Sequence, residues 1–205
     1  MSADAIINHY RKHAAAWADA RGDHLGERAW LDSFRALLPA SATVLDLGCG
    51  SGLPIARYLM TQGCAVTGVD SSPELIALFA QNLPNADAHV ADMRRLDLGR
   101  TFDGVIAWDS FFHLAPDDQR RMFAIFAEHV APIGALMFTS GPEAGEVIGE
   151  FGGDPLYHAS LAPEEYRALL ANNGLAVVAH VANDPECGGH TVWLAQRTKA
   201  IAPQR

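Results

Sequence analysis

The chain has 205 residues, with 15 Lys and Arg against 24 Asp and Glu and a formal net charge of −9. That acidic balance argues against nucleic acid and anionic membrane surfaces as partners, since both recruit basic fields. Hydrophobic residues make up 49% and charged residues 19% of a chain long enough for one sizeable core; three widely spaced cysteines form neither a disulfide framework nor a zinc pair.

In chain order, Ile6, Tyr10, His13 and Trp17 recur at helical spacing and predict an N-terminal helix with an aromatic face. A second helix is expected from Leu25 to Leu38, stopped by Pro39. Strands and helices then alternate. Strands are expected at Thr43–Leu47, Ala65–Val69, Ala88–Ala91, Gly104–Trp108 and Ala135–Thr139, and helices at Pro54–Thr61, Pro73–Asn82 and Pro116–His129. Ser71-Ser72-Pro73-Glu74 offers a cap, a first-turn proline and an early acid, and Ala162-Pro163-Glu164-Glu165 repeats the device for a helix ending at Gly174. Between them, "SGPEAGEVIGEFGGDPLYHASL" (Ser140 to Leu161) reads as a long glycine-rich loop of the kind that covers a site. Leu175–Val181 and Thr191–Ala195, joined by "NDPECGGH", form a closing antiparallel hairpin. The fold class is therefore α/β, a three-layer sandwich with a seven-stranded, mostly parallel sheet and an antiparallel C-terminal strand. One domain is expected over 1–205: a helical cap at 1–40, the α/β core at 41–197 and a tail at 198–205.

The most informative stretch is "TVLDLGCGSGLPIARYL", a strand, a glycine turn and a helix. A dinucleotide fingerprint begun at Gly48 would need glycine where Leu53 stands, and no phosphate-loop lysine follows. The pattern is instead D-x-G-C-G-x-G, Asp46 to Gly52. With it go two acids at the ends of the following strands, Asp70 in "AVTGVDSS" and Asp92 in "HVADM".

In these residues the chain resembles the class I S-adenosylmethionine-dependent methyltransferases of small-molecule type. The resemblance implies S-adenosyl-L-methionine as cofactor, with Asp46, Gly48, Cys49 and Gly50 at its methionine part. It places Asp70, with Ser71 beside it, at the ribose hydroxyls, and Asp92 and Met93 at the adenine. Trp108 and His113, after the fourth strand, become walls of the pocket, and Tyr10 and Trp17 of the first helix fold over the cofactor. Asp109-Ser110-Phe111-Phe112 lacks the [N/D]-P-P-[F/Y] tetrad of the nucleobase amine enzymes, and "FTSGP" lacks the acids of the magnesium-dependent catechol type. No metal ligand is assigned.

Strand ends of an open parallel sheet border its ligand crevice, which puts His113 and His190 on one rim as candidate catalytic groups at the methyl acceptor, with His158 third. Their ordinary pKa near 6.5 would let them serve as neutral bases. The activity expected is methyl transfer to a small-molecule acceptor at nitrogen or oxygen, without a metal. A non-catalytic S-adenosylmethionine-binding sensor or regulatory subunit would carry the same cofactor residues, and a nicotinamide-dependent oxidoreductase is the remaining alternative. A small acceptor, no nucleic acid, no membrane, a monomer or homodimer and a cytoplasmic location complete the expectations.

Overall fold

The computed structural model describes residues 5–198. Of the expected tail, only Thr198 lies within the described residues. The chain runs α1 (Ile6–Arg21), α2 (Arg28–Arg35), β1 (Thr43–Leu47), α3 (Ile55–Thr61), β2 (Ala65–Asp70), α4 (Pro73–Asn82), β3 (Asp87–Val90) and β4 (Phe102–Ala107). It continues through α5 (Pro116–His129), β5 (Val130–Ser140), β6 (Gly145–Phe151), β7 (Asp154–Ser160), α6 (Pro163–Asn172), β8 (Leu175–Asp184) and β9 (His190–Arg197). Seven strands form one sheet in the order β3-β2-β1-β4-β5-β9-β8. Only β9 runs antiparallel to its neighbours, and helices cover both faces.

Period-two alternation divides the strands between two cores. Val44, Val66, Ile106 and Met137 face Phe34 of α2, Leu59 of α3 and Phe79 of α4. Leu45, Val105, Leu136 and Phe138 face the opposite layer, where Phe123 and Phe126 of α5 meet Tyr166 of α6 and Trp193 of β9. The helix starts behave as their sequences predict. Ser72 Oγ accepts from Leu75 N at 3.2 Å beside Pro73, and α5 and α6 each open on proline followed by two acids, which suit the positive end of a helix dipole. Among the described residues, no helix is long and apolar enough to cross a membrane.

The second helix is shorter than expected, Arg28–Arg35, and β8 and β9 are longer. The larger correction concerns Ser140 to Leu161. It is not an irregular loop: β6 and β7 pair from Gly145↔Ser160 to Phe151↔Asp154 as a separate antiparallel hairpin. Gly152 and Gly153, both at positive φ, make its turn. The hairpin packs on α1 through Leu156, Tyr157 and Ala159 against Ile6, with Tyr10 and Phe151 alongside.

The chain crosses from one side of β1 to the other when β4 follows β3, so the sheet's order reverses between β1 and β4. Such a reversal opens a crevice at the carboxyl ends of the two strands. Here Gly48 follows β1 and Asp109 and Ser110 follow β4.

Candidate active site

The glycine turn is shaped by how closely its neighbours approach. Gly48 has φ +73, and a Cβ built on it would lie 2.2 Å from Ser110 Cβ, whose hydroxyl donates to Leu47 O at 2.7 Å. Gly48 and Cys49 donate backbone N–H groups to Val69 O at 2.7 and 3.1 Å, pinning the turn to β2. Gly50, at φ +54, has nothing within 4 Å of its Cβ position. One glycine admits a neighbouring strand; the other leaves space empty.

That space belongs to two adjoining cavities. The first is lined by Gly48, Gly50, Asp70, Ser71, Asp92 and Met93. From α1, Tyr10 and Trp17 line it, and His113 closes its far wall. The second is lined by Asp46, Cys49 and Trp108, together with Gly48, Gly50 and Trp17. Every residue expected at the cofactor therefore lines one of these two cavities. His13 does not follow the rest of its helical stripe; it turns to the hairpin, where its Nε2 lies 2.6 Å from Asp154 Oδ2.

The charges of this region are distinctive. Asp70 is 8% exposed; Oδ1 accepts from Ser72 N at 2.9 Å and Oδ2 from Gly50 N at 3.1 Å. Burial nonetheless raises its pKa, against those hydrogen bonds. Asp46 is 3% exposed, and burial with the nearby Asp70 charge pushes it up to about 7. A carboxyl so placed either keeps a proton or gains from a cationic partner. The same cavity also presents Arg21, which is paired with Glu27, and the buried Trp108 indole N–H, which has no hydrogen-bond partner. Acid, guanidinium and spare donor together suit a zwitterionic amino-acid end. Asp92 is engaged differently. Burial would raise it, but the Arg94 guanidinium and backbone N–H, bonded to it at 2.7–3.0 Å, hold it below the ordinary carboxylate range. A ligand amino group there would share its oxygens with Arg94.

A third cavity continues from the first two and is lined by Phe112, His113, Ser140, His158 and His190. Trp17 and Asp109 line all three cavities and mark their junction. Phe111, by contrast, is fully buried in the core beneath.

The histidines are held in defined states. His113, 4% exposed, has its Nδ1 2.8 Å from Tyr157 O, to which it donates, so Nε2 accepts from the Tyr10 hydroxyl at 2.7 Å. Burial lowers its pKa to about 4. His190 is the opposite case. Nδ1 meets Cys187 O at 2.6 Å and Nε2 meets the Asp109 carboxylate at 3.1 Å, an arrangement in which both nitrogens donate. The Asp109 hydrogen bond, against burial, raises it to about 9. Neither is the free neutral base expected from a pKa of 6.5: one has its lone pair filled, the other carries its proton.

The Asp109–His190 pair and Arg21 escaped the sequence reading. Asp109 lies two residues beyond β4, at φ +48, a conformation uncommon outside glycine; its N–H donates to Thr139 Oγ1 at 2.9 Å. An acid just beyond the end of a parallel strand was the available signal.

The pair predicts a pH dependence. A histidine whose folded pKa lies above its unfolded value near 6.5 contributes stability that is complete below that value and is lost as pH rises towards 9. His190→Gln should therefore flatten the alkaline decline in melting temperature between about pH 6.5 and 9. An unchanged slope would mean the pair does not form in solution.

Residues 44–134 match a family model described as a methyltransferase domain. The chain is similar to dTDP-3-amino-3,6-dideoxy-alpha-D-glucopyranose N,N-dimethyltransferase of Streptomyces fradiae, at 32% identity over 143 residues, covering 63% of this chain and 54% of that one. The chain spans about half the length of the curated relatives it matches. Among solved structures, the S-adenosylmethionine-bound amino pentose methyltransferase CalS10 of Micromonospora echinaspora superposes with a TM-score of 0.71 at 24% identity, over 90% of this chain and 95% of that one. The 1,6-didemethyltoxoflavin N1-methyltransferase of Burkholderia thailandensis superposes with a TM-score of 0.74, also at 24% identity, over 96% and 89%.

Proposed function

We propose that this chain, whose residues 44–134 match a methyltransferase-domain family model, is a class I S-adenosylmethionine-dependent enzyme that transfers a methyl group from that cofactor to a small-molecule acceptor at nitrogen or oxygen. The observation that carries the reading is the junction of three cavities at Trp17 and Asp109. Two suit the halves of the cofactor, and the third suits an acceptor. Between the two acceptor atoms, the acid at that junction favours an amine.

The bound cofactor supplies an activated methyl on a sulfonium centre. The chain's part is to hold and orient. Asp70 accepts from the ribose hydroxyls, Asp46 takes the amino group, and Arg21 with Trp108 takes the carboxylate. Tyr10 and Trp17 close the cavity from above, and aromatic faces suit a neighbouring cation. With His113 bonded on both nitrogens and His190 protonated, the rim holds the acceptor in line and adjusts its charge. The rim would hold an amine acceptor with its lone pair in line with that methyl, and Asp109 would border the path by which the amine proton leaves to solvent. Rate comes chiefly from approach and alignment. We infer the same small-molecule role, without nucleic acid, for a cytoplasmic protein acting as monomer or homodimer.

The reading is tested by calorimetric titration with S-adenosylmethionine and S-adenosylhomocysteine, followed by a screen of amines and alcohols for S-adenosylhomocysteine release. Asp46 adds a proton signature. Its raised pKa means the empty site binds an extra proton between about pH 4 and 7, so a cationic ligand group expels it. Affinity should rise from about pH 5.5 to 7.5, with proton release visible in buffers of different ionisation enthalpy, and both should vanish in Asp46→Asn. Failure of both sulfur cofactors to bind would overturn the reading.

A further inference from the structure

α1 has a second polar face, turned from the cavity towards the hairpin. His9 and His13 lie one turn apart on it, and Asp154 begins β7. One ligand atom from each lies within 4.8 Å of the other two. His9 is 4% exposed, and neither of its ring nitrogens has a hydrogen-bond partner. Buried imidazole nitrogens give up water without replacement unless something else meets them. His13 Nε2 and Lys12 Nζ both lie 2.6 Å from Asp154 Oδ2, so the carboxylate already gathers positive charge.

We propose that His9, His13 and Asp154 form a binding site for one divalent transition-metal ion of the zinc class, tying α1 to the β6–β7 hairpin. Histidines at i and i+4 present their nitrogens from one face of a helix, the spacing that helical zinc sites use. Two imidazoles with one carboxylate suit zinc and its first-row neighbours, whereas magnesium and calcium take oxygen donors. Bonds of about 2.0–2.2 Å in tetrahedral geometry put ligand atoms about 3.4 Å apart, so the widest pair closes by roughly 1.4 Å. His13 Nε2 and Asp154 Oδ2, now 2.6 Å apart, would open to the same spacing, and the Asp154 side chain is partly exposed, which leaves it room to turn. Three protein ligands leave the fourth position to water.

The surroundings are built for close approach. Phe151 stands 6.1 Å from the His9 ring and 5.9 Å from the His13 ring, centroid to centroid, and gives the site an apolar wall. A Cβ on Gly152 would lie 2.7 Å from His13 Nδ1 and Cε1, so the hairpin turn fits the imidazole only as glycine. Among the described residues, the Lys12 ammonium competes for Asp154, on an exposed side chain that can swing into solvent. Asp154 lies 141 residues beyond His13, which is why spacing along the chain assigned no metal ligand here.

The test is titration of the untagged full chain with zinc chloride in a calorimeter, without S-adenosylmethionine, so that its outcome is independent of the methyl-transfer reading. Cobalt(II) is titrated in parallel for its visible absorption. Wild type should bind one equivalent saturably, with a rise in melting temperature. Asp154→Asn and His13→Gln, each checked for its metal-free melting temperature, should weaken binding at least tenfold, and Lys12→Gln should tighten it by removing the competing cation. Absence of saturable one-equivalent binding in wild type would overturn the proposal. So would affinity unchanged in both Asp154→Asn and His13→Gln, which would place the ion elsewhere.

Discussion

Asp70→Ala should weaken S-adenosylmethionine binding a hundredfold or more. A carboxylate at the end of β2 can accept from two vicinal hydroxyls at once, and hydrogen bonds to a charged group contribute about 1.5–3 kcal/mol each. Losing both costs about 3–6 kcal/mol, and each 1.4 kcal/mol is a factor of ten. The variant also removes the acceptor for Gly50 N and Ser72 N, so some stability goes with it. Asp70→Asn separates the two effects. It keeps one acceptor oxygen for the backbone but loses the charge and the second acceptor, and should bind with intermediate affinity at a melting temperature between those of wild type and Asp70→Ala. Calorimetry on all three proteins decides the matter. Affinity within threefold of wild type in Asp70→Ala would remove the ribose from this carboxylate.

The two glycines of the turn should fail in opposite ways. In Gly48→Ala, a new methyl would stand 2.2 Å from Ser110 Cβ in a backbone of φ +73. Left-handed strain of about 1–2 kcal/mol and overpacking of about 1–3 kcal/mol combine there. At about 2–4 °C per kcal/mol for a chain this size, the melting temperature should fall by roughly 5–15 °C. In Gly50→Ala only the strain applies, because nothing lies within 4 Å; the fall should be about 2–8 °C. Its methyl enters empty space beside both cofactor cavities, so binding should drop at least tenfold while the fold persists. Thermal unfolding with and without cofactor checks both. Equal losses of stability would show that the approach of Ser110 to Gly48 is not what the turn is shaped for.

The parts of the site legible in the sequence are those held by neighbours along the chain. Asp46 and Asp70 stand in the last two residues of β1 and β2, and Gly48, Gly50 and Asp92 follow closely on β1 and β3, so position along the strand also gives position on the rim. What was not legible depends on distant segments. His190 takes its proton from a partnership with Asp109, 81 residues away, and His113 loses its basicity to burial under Tyr10 and Tyr157. Residue type cannot announce either. The hairpin β6–β7 was hidden for another reason. Val147 and Ile148 are adjacent and both exposed, so the strand lacks the alternation that marks one buried face. Its glycines read as a loop, and only the packing of β7 on α1 shows why the segment is ordered.

The position of β9 bears on how the chain is made. This strand, last among the described residues to join the sheet, does not add to an edge but fills the gap between β5 and β8. Until His190–Arg197 has left the ribosome, β5 and β8 each present an unpaired edge, an invitation to pair with other nascent chains. Arrest or truncation before β9 should thus yield aggregate rather than a smaller soluble protein. Because His190 heads that strand, the acceptor end of the site and the closure of the sheet would be completed in the same late event.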